Sequence, residues 1–211
     1  MNMRIIAISR EYGSGGRSIG EALAKEIDVP YYDKQIVHLA AEKGGLSPVY
    51  VENTDESIPS TFQHSLKYTD VNFSTIDSLA YYETPTTDKV FLAQSEVIKE
   101  IAQQGPCVIV GRCAGYVLRD RDDVFTVFVH ANAEDRIKRA VNQYDLLPND
   151  AVERLRKIDK SRINYYRYYT NRTWGNVNDY DLAINTSFTG VDGAVAVIKA
   201  MLNEGINWRN M

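Results

Sequence analysis

One short segment near the start of the chain carries the densest chemical signal. In ISREYGSGGRSI, residues 8–19, an apolar run gives way to Gly13, Ser14, Gly15 and Gly16 and then to a helical pattern. Glycines let a backbone turn through positive φ and aim several N–H groups at one point. The helix that follows adds amides without intrahelical partners and a partial positive charge. Strand, glycine turn and helix in that order form a cradle for a polyphosphate. The alternative is an ordinary glycine-rich turn with no ligand.

The familiar phosphate-binding pattern is G-x-x-x-x-G-K-[ST], and the segment meets it imperfectly in either of two registers. Placing Gly16-Arg17-Ser18 on G-K-S puts Glu11 at the first glycine and Arg17 at the lysine. Arg17 then reaches the β- and γ-phosphates and Ser18 holds Mg²⁺. Sliding by one suits Gly13 and Gly15 better, but puts Gly16 at the lysine and Arg17 at the hydroxyl position. The first register is preferred because it keeps a cation and a hydroxyl.

Arginines recur downstream. Arg112 follows Gly111 at the end of an apolar run, CVIVG, where open α/β sheets bind ligands; it either faces a ligand or pairs with a carboxylate such as Asp33. Arg136 and Arg139 share a helix face, which is either functional or solvated. Arg156, Asp159 and Arg162 are spaced by three and project from one side of a helix. Such a row suits a phosphate and a sugar hydroxyl, and equally an intrahelical ion-pair ladder. Tyr165, Tyr166, Tyr168, Tyr169 and Trp174 either stack on a base or pack among themselves. Cys113 reads as a small buried residue. His38, His64 and His130 have no metal-ligand spacing, and nothing resembles a Ser-His-Asp set.

The elements that must position these groups alternate between short β-type runs and helical segments, the pattern of an α/β layer fold. Strands are expected over residues 4–9, 29–32, 107–111, 124–130 and 180–185. Helices are expected over 17–27, 88–104, 133–144, 150–169 and 193–203, and over a segment that Asp33 caps and Gly44 and Gly45 end. Residues 46–88 break the pattern. They hold three of the six prolines, and short helical candidates at 60–68 and 75–82. Such a stretch inside a compact chain commonly carries function.

The 211 residues suffice for one core with a small insertion. With 24 Lys+Arg against 28 Asp+Glu, net charge −4, no basic excess marks duplex nucleic acid as a partner. Two cysteines cannot staple a fold, which points to a reducing compartment. The apolar runs fall far short of the roughly 20 residues a membrane span needs, and the N-terminus does not read as a secretory signal. The expectation is a cytoplasmic protein without a membrane partner.

ISREYGSGGRSIGEALA, PYYDKQIV, VIVGRCAGYVL, the D-x-x-R of Asp159 and Arg162, and YDLAINTS together resemble the cytidylate kinase-like family, a branch of the P-loop nucleoside monophosphate kinases. The resemblance runs from residue 3 to about residue 202. It implies a three-layer P-loop NTPase fold: one α/β domain over residues 1–211, with a five-stranded parallel sheet in the order 2-3-1-4-5. It makes residues 46–88 an inserted acceptor-binding segment and residues 145–149 a lid tip. It also implies ATP and Mg²⁺, and phosphoryl transfer to a small nucleotide such as CMP. Gly13, Ser14, Gly15, Gly16, Arg17 and Ser18 would hold the donor phosphates, with Ser18 on the metal. Arg17, Arg112, Arg136 and Arg162 would act on the phosphates in flight. Asp33, Lys34, Arg112, Asp159 and Arg162 would hold the acceptor. Cys113 stands where the family's G-R-D has its aspartate; a further family arginine falls on Leu39, and another on Leu155. Two other functions stay open: a kinase for a different small metabolite, and a nucleotide-binding regulatory module of weak turnover.

Overall fold

The computed structural model describes residues 5–57, 86–144 and 146–203. Five short strands form one parallel sheet: β1 (Ile5–Arg10), β2 (Tyr31–Tyr32), β3 (Cys107–Val110), β4 (Val124–His130) and β5 (Leu182–Asn185). Their spatial order is β2-β3-β1-β4-β5, as expected from the sequence. Ile6 of β1 lies between Val108 of β3 and Phe125 of β4, and Val129 of β4 pairs with Ile184 of β5. The strands are apolar along most of their length because helices cover both faces, the usual condition of a parallel sheet.

One face is covered by α1 (Gly16–Glu26) and α8 (Thr186–Asn203), with Ile19, Leu23 and Ile198 packed on Ile6, Ile8, Val110 and Val127. The other is covered by α2 (Lys34–Gly44), α4 (Thr86–Gln104) and the short α5 (Ala114–Val117), with Ile36, Ile98 and Ile101 against Ile5, Ala7 and Ile109. Two further helices that pack on each other, α6 (Ala133–Tyr144) and α7 (Pro148–Thr170), follow β4, and α6 lies against the glycine turn.

Several boundaries move for physical reasons. The last helix extends back to Thr186, broken at Gly190 (φ 67°, ψ −174°), a conformation that glycine tolerates. α7 starts at Pro148 rather than Asp150, since proline lacks only an N–H that the first turn leaves unused. A helix unanticipated from the sequence, α3 (Pro48–Thr54), buries Val51 against Val37 and Ala41 of α2. The expected helices at 60–68 and 75–82 lie outside the described residues. Asp33 does stand at the N-cap of α2, but its side chain makes no capping bond. Two guanidiniums hold its carboxylate instead, and charge-assisted bonds outweigh one to a backbone amide.

Candidate active site at the ends of the strands

The glycine turn occupies residues 11–15, between the last residue of β1 and the first of α1. Gly13 (φ 75°) and Gly15 (φ 88°) take left-handed conformations, and Gly15 is the N-cap of α1. The first helical bond runs from the Ile19 N–H to the Gly15 carbonyl (2.9 Å). The amides of Gly16 and Ser18 precede it, at the positive end of the helix. Neighbours fix the turn. The Tyr12 N–H donates to Asp159 Oδ1 (2.9 Å), Arg136 Nε donates to the Tyr12 carbonyl (2.7 Å), and Arg139 Nη1 donates to the Gly13 carbonyl. The Thr186 hydroxyl donates to the Ser14 carbonyl (2.7 Å), while the buried Ser14 hydroxyl turns back onto the Glu11 carbonyl (2.9 Å).

A hollow of about 490 Å³ opens along this turn, with Gly13, Gly15, Gly16, Arg17 and Ser18 in its wall. A second of about 270 Å³ lies beyond the end of β3, bordered by Gly111, Arg112, Cys113 and the Tyr165–Tyr166 pair. Around the two, arginines and carboxylates interleave. Arg112, 4% exposed, pairs with Asp33 and with Asp55 (Nη2 to Oδ2, 2.6 Å) and donates to the Val110 carbonyl (3.1 Å). Arg136 pairs with Asp159 and with Glu11 (3.2 Å). Arg162 Nε meets Glu56 Oε2 (2.8 Å), and Arg10 Nη1 meets Glu56 Oε1 (2.7 Å). Arg17 Nε meets Asp33 Oδ2 (2.8 Å) from the exposed side of α1.

Burial works to raise the carboxyl pKa of Asp33 and Glu56, but the arginines outweigh it. Asp33 ends below its ordinary value, through Arg112 and then Arg10; Glu56 ends well below, through Arg10, Arg162 and then Arg112. Both are anions at neutral pH. Burial pushes Arg10 below the usual arginine value, with help from Arg162, while Arg112 is held above it despite burial by Asp55, Glu56 and Asp33. Cys113 is buried, and burial raises its thiol pKa, so it is no nucleophile.

The glycine turn and Arg17, Ser18, Asp33, Arg112, Arg136, Asp159 and Arg162 therefore come together at one end of the sheet. Lys34 is exposed at the start of α2, next to Asp33. Arg156 is exposed too, so the expected three-residue row reduces to Asp159 and Arg162. The tyrosines pack on each other and on Phe91, which stacks on Tyr169 at 3.9 Å, while Trp174 sets its edge on Phe128. Sequence reasoning missed Arg10, Glu11, Asp55 and Glu56. The signal for Arg10 was present: a charge ends an otherwise buried strand. Asp55 and Glu56 carried none, because they follow a short helix inside an aperiodic stretch.

Residues 5–188 match the model of the cytidylate kinase-like family. A cytidylate kinase of Sulfurisphaera tokodaii is 24% identical over 200 residues, 94% of this chain and 95% of that protein. A cytidylate kinase of Ignicoccus hospitalis is 22% identical over 204 residues, 95% and 99% of the two chains. Among solved structures, an uncharacterized protein from Eubacterium ventriosum superposes with a TM-score of 0.69 at 24% identity, covering 95% of this chain and 98% of that one. The shikimate kinase of Bacteroides thetaiotaomicron shares the fold at a TM-score of 0.52 and 11% identity, with 95% and 98% covered. The family match begins with β1 and takes in the glycine turn and every arginine of the cluster, and by that match the chain belongs to the cytidylate kinase-like family.

Proposed function

We propose that the protein transfers the terminal phosphoryl group of ATP to a small phosphorylated acceptor, a pyrimidine nucleoside monophosphate of the CMP type. One observation carries this reading: three buried or half-buried arginines, Arg112, Arg136 and Arg162, converge beyond a strand–glycine turn–helix unit at one end of a parallel sheet. A site for a single phosphate has no use for so many cations, whereas two anionic substrates brought face to face need them. The names of the two cytidylate kinases that the chain resembles support the choice of acceptor.

In this reading the turn amides and Arg17 hold the donor phosphates, Arg112 and Arg162 grip the acceptor phosphate, and Asp159 orients a sugar hydroxyl. Arg136 braces the turn and closes over it. Such chemistry needs in-line placement and charge neutralisation rather than a covalent enzyme intermediate. The fit to a metal is of a limited kind. Among the described residues no group of three His, Cys, Asp or Glu is placed to hold an ion. Mg²⁺ commonly keeps its waters and rides on the substrate's phosphates with one or two protein ligands. Ser18, in the wall of the hollow, suits that role. Bound there, the ion would offset the negative charge of the β- and γ-oxygens.

One feature favours a second reading. Asp33, Asp55 and Glu56 already occupy Arg112 and Arg162, as expected of a module that binds nucleotide without turning it over. Incubation with MgATP and a panel of CMP, dCMP, UMP and AMP separates the two. The expected result is ADP formation that CMP accelerates. ADP formation that no member of the panel accelerates overturns the nucleotide acceptor, and turnover with a non-nucleotide metabolite replaces it.

A further inference from the structure

We propose that Arg10 is the cation that meets the phosphoryl group in transit, the task an ordinary phosphate-binding loop gives to the lysine at the start of its helix. The inference deepens the kinase reading and rests on it.

The first observation is a reciprocal exchange. The structure favours the register that the sequence alone does not prefer: Gly13 and Gly15 take positive φ and Gly15 caps α1, so the pattern's first glycine falls on Arg10, its lysine on Gly16 and its hydroxyl position on Arg17. The first two of these positions touch in space. A Cβ added to Gly16 would lie 2.5 Å from Arg10 Cβ and 2.9 Å from its Cγ. The Arg10 stem thus fills the space a side chain on Gly16 would need. A single cation is kept, carried on the strand instead of the helix.

The second observation is where the guanidinium goes. It crosses in front of Gly111, where a Cβ would come within 2.9 Å of Arg10 Cζ. Gly111, Arg112 and Cys113 all have positive φ (85°, 49° and 55°), so the chain leaving β3 bends in consecutive left-handed steps beside that group. For two non-glycine residues this conformation is costly, and such strain concentrates at functional sites. Arg10 is 8% exposed, yet it borders both hollows, and among the described residues the two share only Arg10 and Arg162 in their walls. A group passing from a donor in one to an acceptor in the other passes these two arginines.

The third observation is what lies between them now. The Glu56 carboxylate bridges Arg10 (2.7 Å) and Arg162 (2.8 Å), and its own backbone has φ 55°. An anion with two oxygens fanned across two guanidiniums has the recognition chemistry of a phosphoryl group. Glu56 keeps the pair matched until the substrate displaces it. In the transfer itself, the bond from the γ-phosphorus to the ADP oxygen breaks as a bond from an anionic acceptor oxygen forms. No proton has to move and nothing is oxidised. Arg10 contributes donors to the oxygens that carry the charge of that planar group.

Two variant sets test this. R10M/E56Q removes one cation and one anion, so the net charge of the cluster is kept, and Arg162 loses its carboxylate but keeps the backbone carbonyl of residue 10 as an acceptor (3.1 Å). It is expected to keep the wild-type melting temperature to within a few degrees and to bind MgADP normally. Its kcat is expected to fall by about 10³ or more, and it should no longer trap MgADP, aluminium fluoride and CMP, a mimic of the planar phosphoryl group. R10G/G16K rebuilds the ordinary arrangement, and is expected to regain at least about tenfold of the rate that R10G loses. Turnover or trapping by R10M/E56Q at the wild-type level would show Arg10 to be only a counter-ion. So would an R10G/G16K variant that folds and is no faster than R10G. Should R10M/E56Q fail to fold, the R10G pair decides alone. Failure of the kinase reading looks different, since the wild type itself would then bind MgADP and trap no fluoride complex with any acceptor; both proposals then fall.

Discussion

At the scale of single residues, the site is an exercise in charge matching. Arg10, Arg112, Arg136 and Arg162 are each bonded to a carboxylate at short range, and these carboxylates come from distant parts of the chain. Buried pairs of this kind contribute little net stability, because desolvation offsets most of the attraction, but breaking one by removing a partner is costly. Glu56 shows the consequence for pH. Its folded pKa lies well below the ordinary glutamate value, so the stabilisation is complete above that value and is lost as pH falls towards the folded one. The unfolding midpoint of the wild type should therefore drop steeply on acidification below about pH 4.5. In Glu56→Gln the drop should be shallower, though stability at pH 7 is lower. Parallel pH profiles for the two proteins would contradict this account.

At the scale of elements, the glycine turn is held from outside as much as it is shaped from within. α6 contributes Arg136 and Arg139 to its carbonyls, α7 contributes Asp159 to its Tyr12 N–H, and the start of α8 contributes Thr186. The α6–α7 pair thus holds the turn's shape from outside, the preorganisation that the proposed transfer would draw on. Gly13 shows how tight the fit is: with φ 75°, an added Cβ would stand 2.7 Å from the Arg136 carbonyl oxygen. Gly13→Ala is expected to cost about 1–3 kcal/mol in urea unfolding and to weaken MgATP binding along with it. Unchanged binding in a folded Gly13→Ala variant would separate the turn from the nucleotide.

At the scale of the molecule, five parallel strands bring the glycine turn, Arg10, Asp33 and Arg112 to their C-terminal ends, the place where open α/β sheets bind ligands. No helix among the described residues is long and apolar enough to cross a membrane. If this site binds nucleotide in the folded state alone, MgATP at a hundredfold excess over its Kd should stabilise the protein by about 2.7 kcal/mol, seen as a rise of several degrees in melting temperature. A rise without ADP formation, whatever acceptor is added, would assign the protein to binding rather than catalysis. No rise at all would remove the nucleotide from the site.

The sequence by itself determined the layers, the strand count and the glycine turn. Each is written in short-range patterns: apolar runs for strands buried on both faces, a four-residue apolar period on α1, and glycines where the chain must turn sharply. With the family resemblance, it also reached the strand order and Asp33, Arg112, Arg136, Asp159 and Arg162. Tertiary structure alone decided how those charges are shared. Glu56 lies 46 residues from Arg10 and 106 from Arg162, and no local period links them. Asp33 reads both as a helix cap and as a partner for Arg112; the fold decides for the pair, and it adds the Arg17 guanidinium from α1, which no local pattern shows. Arg10 looked like the polar end of a strand, until folding laid Gly16 and Gly111 along its side chain.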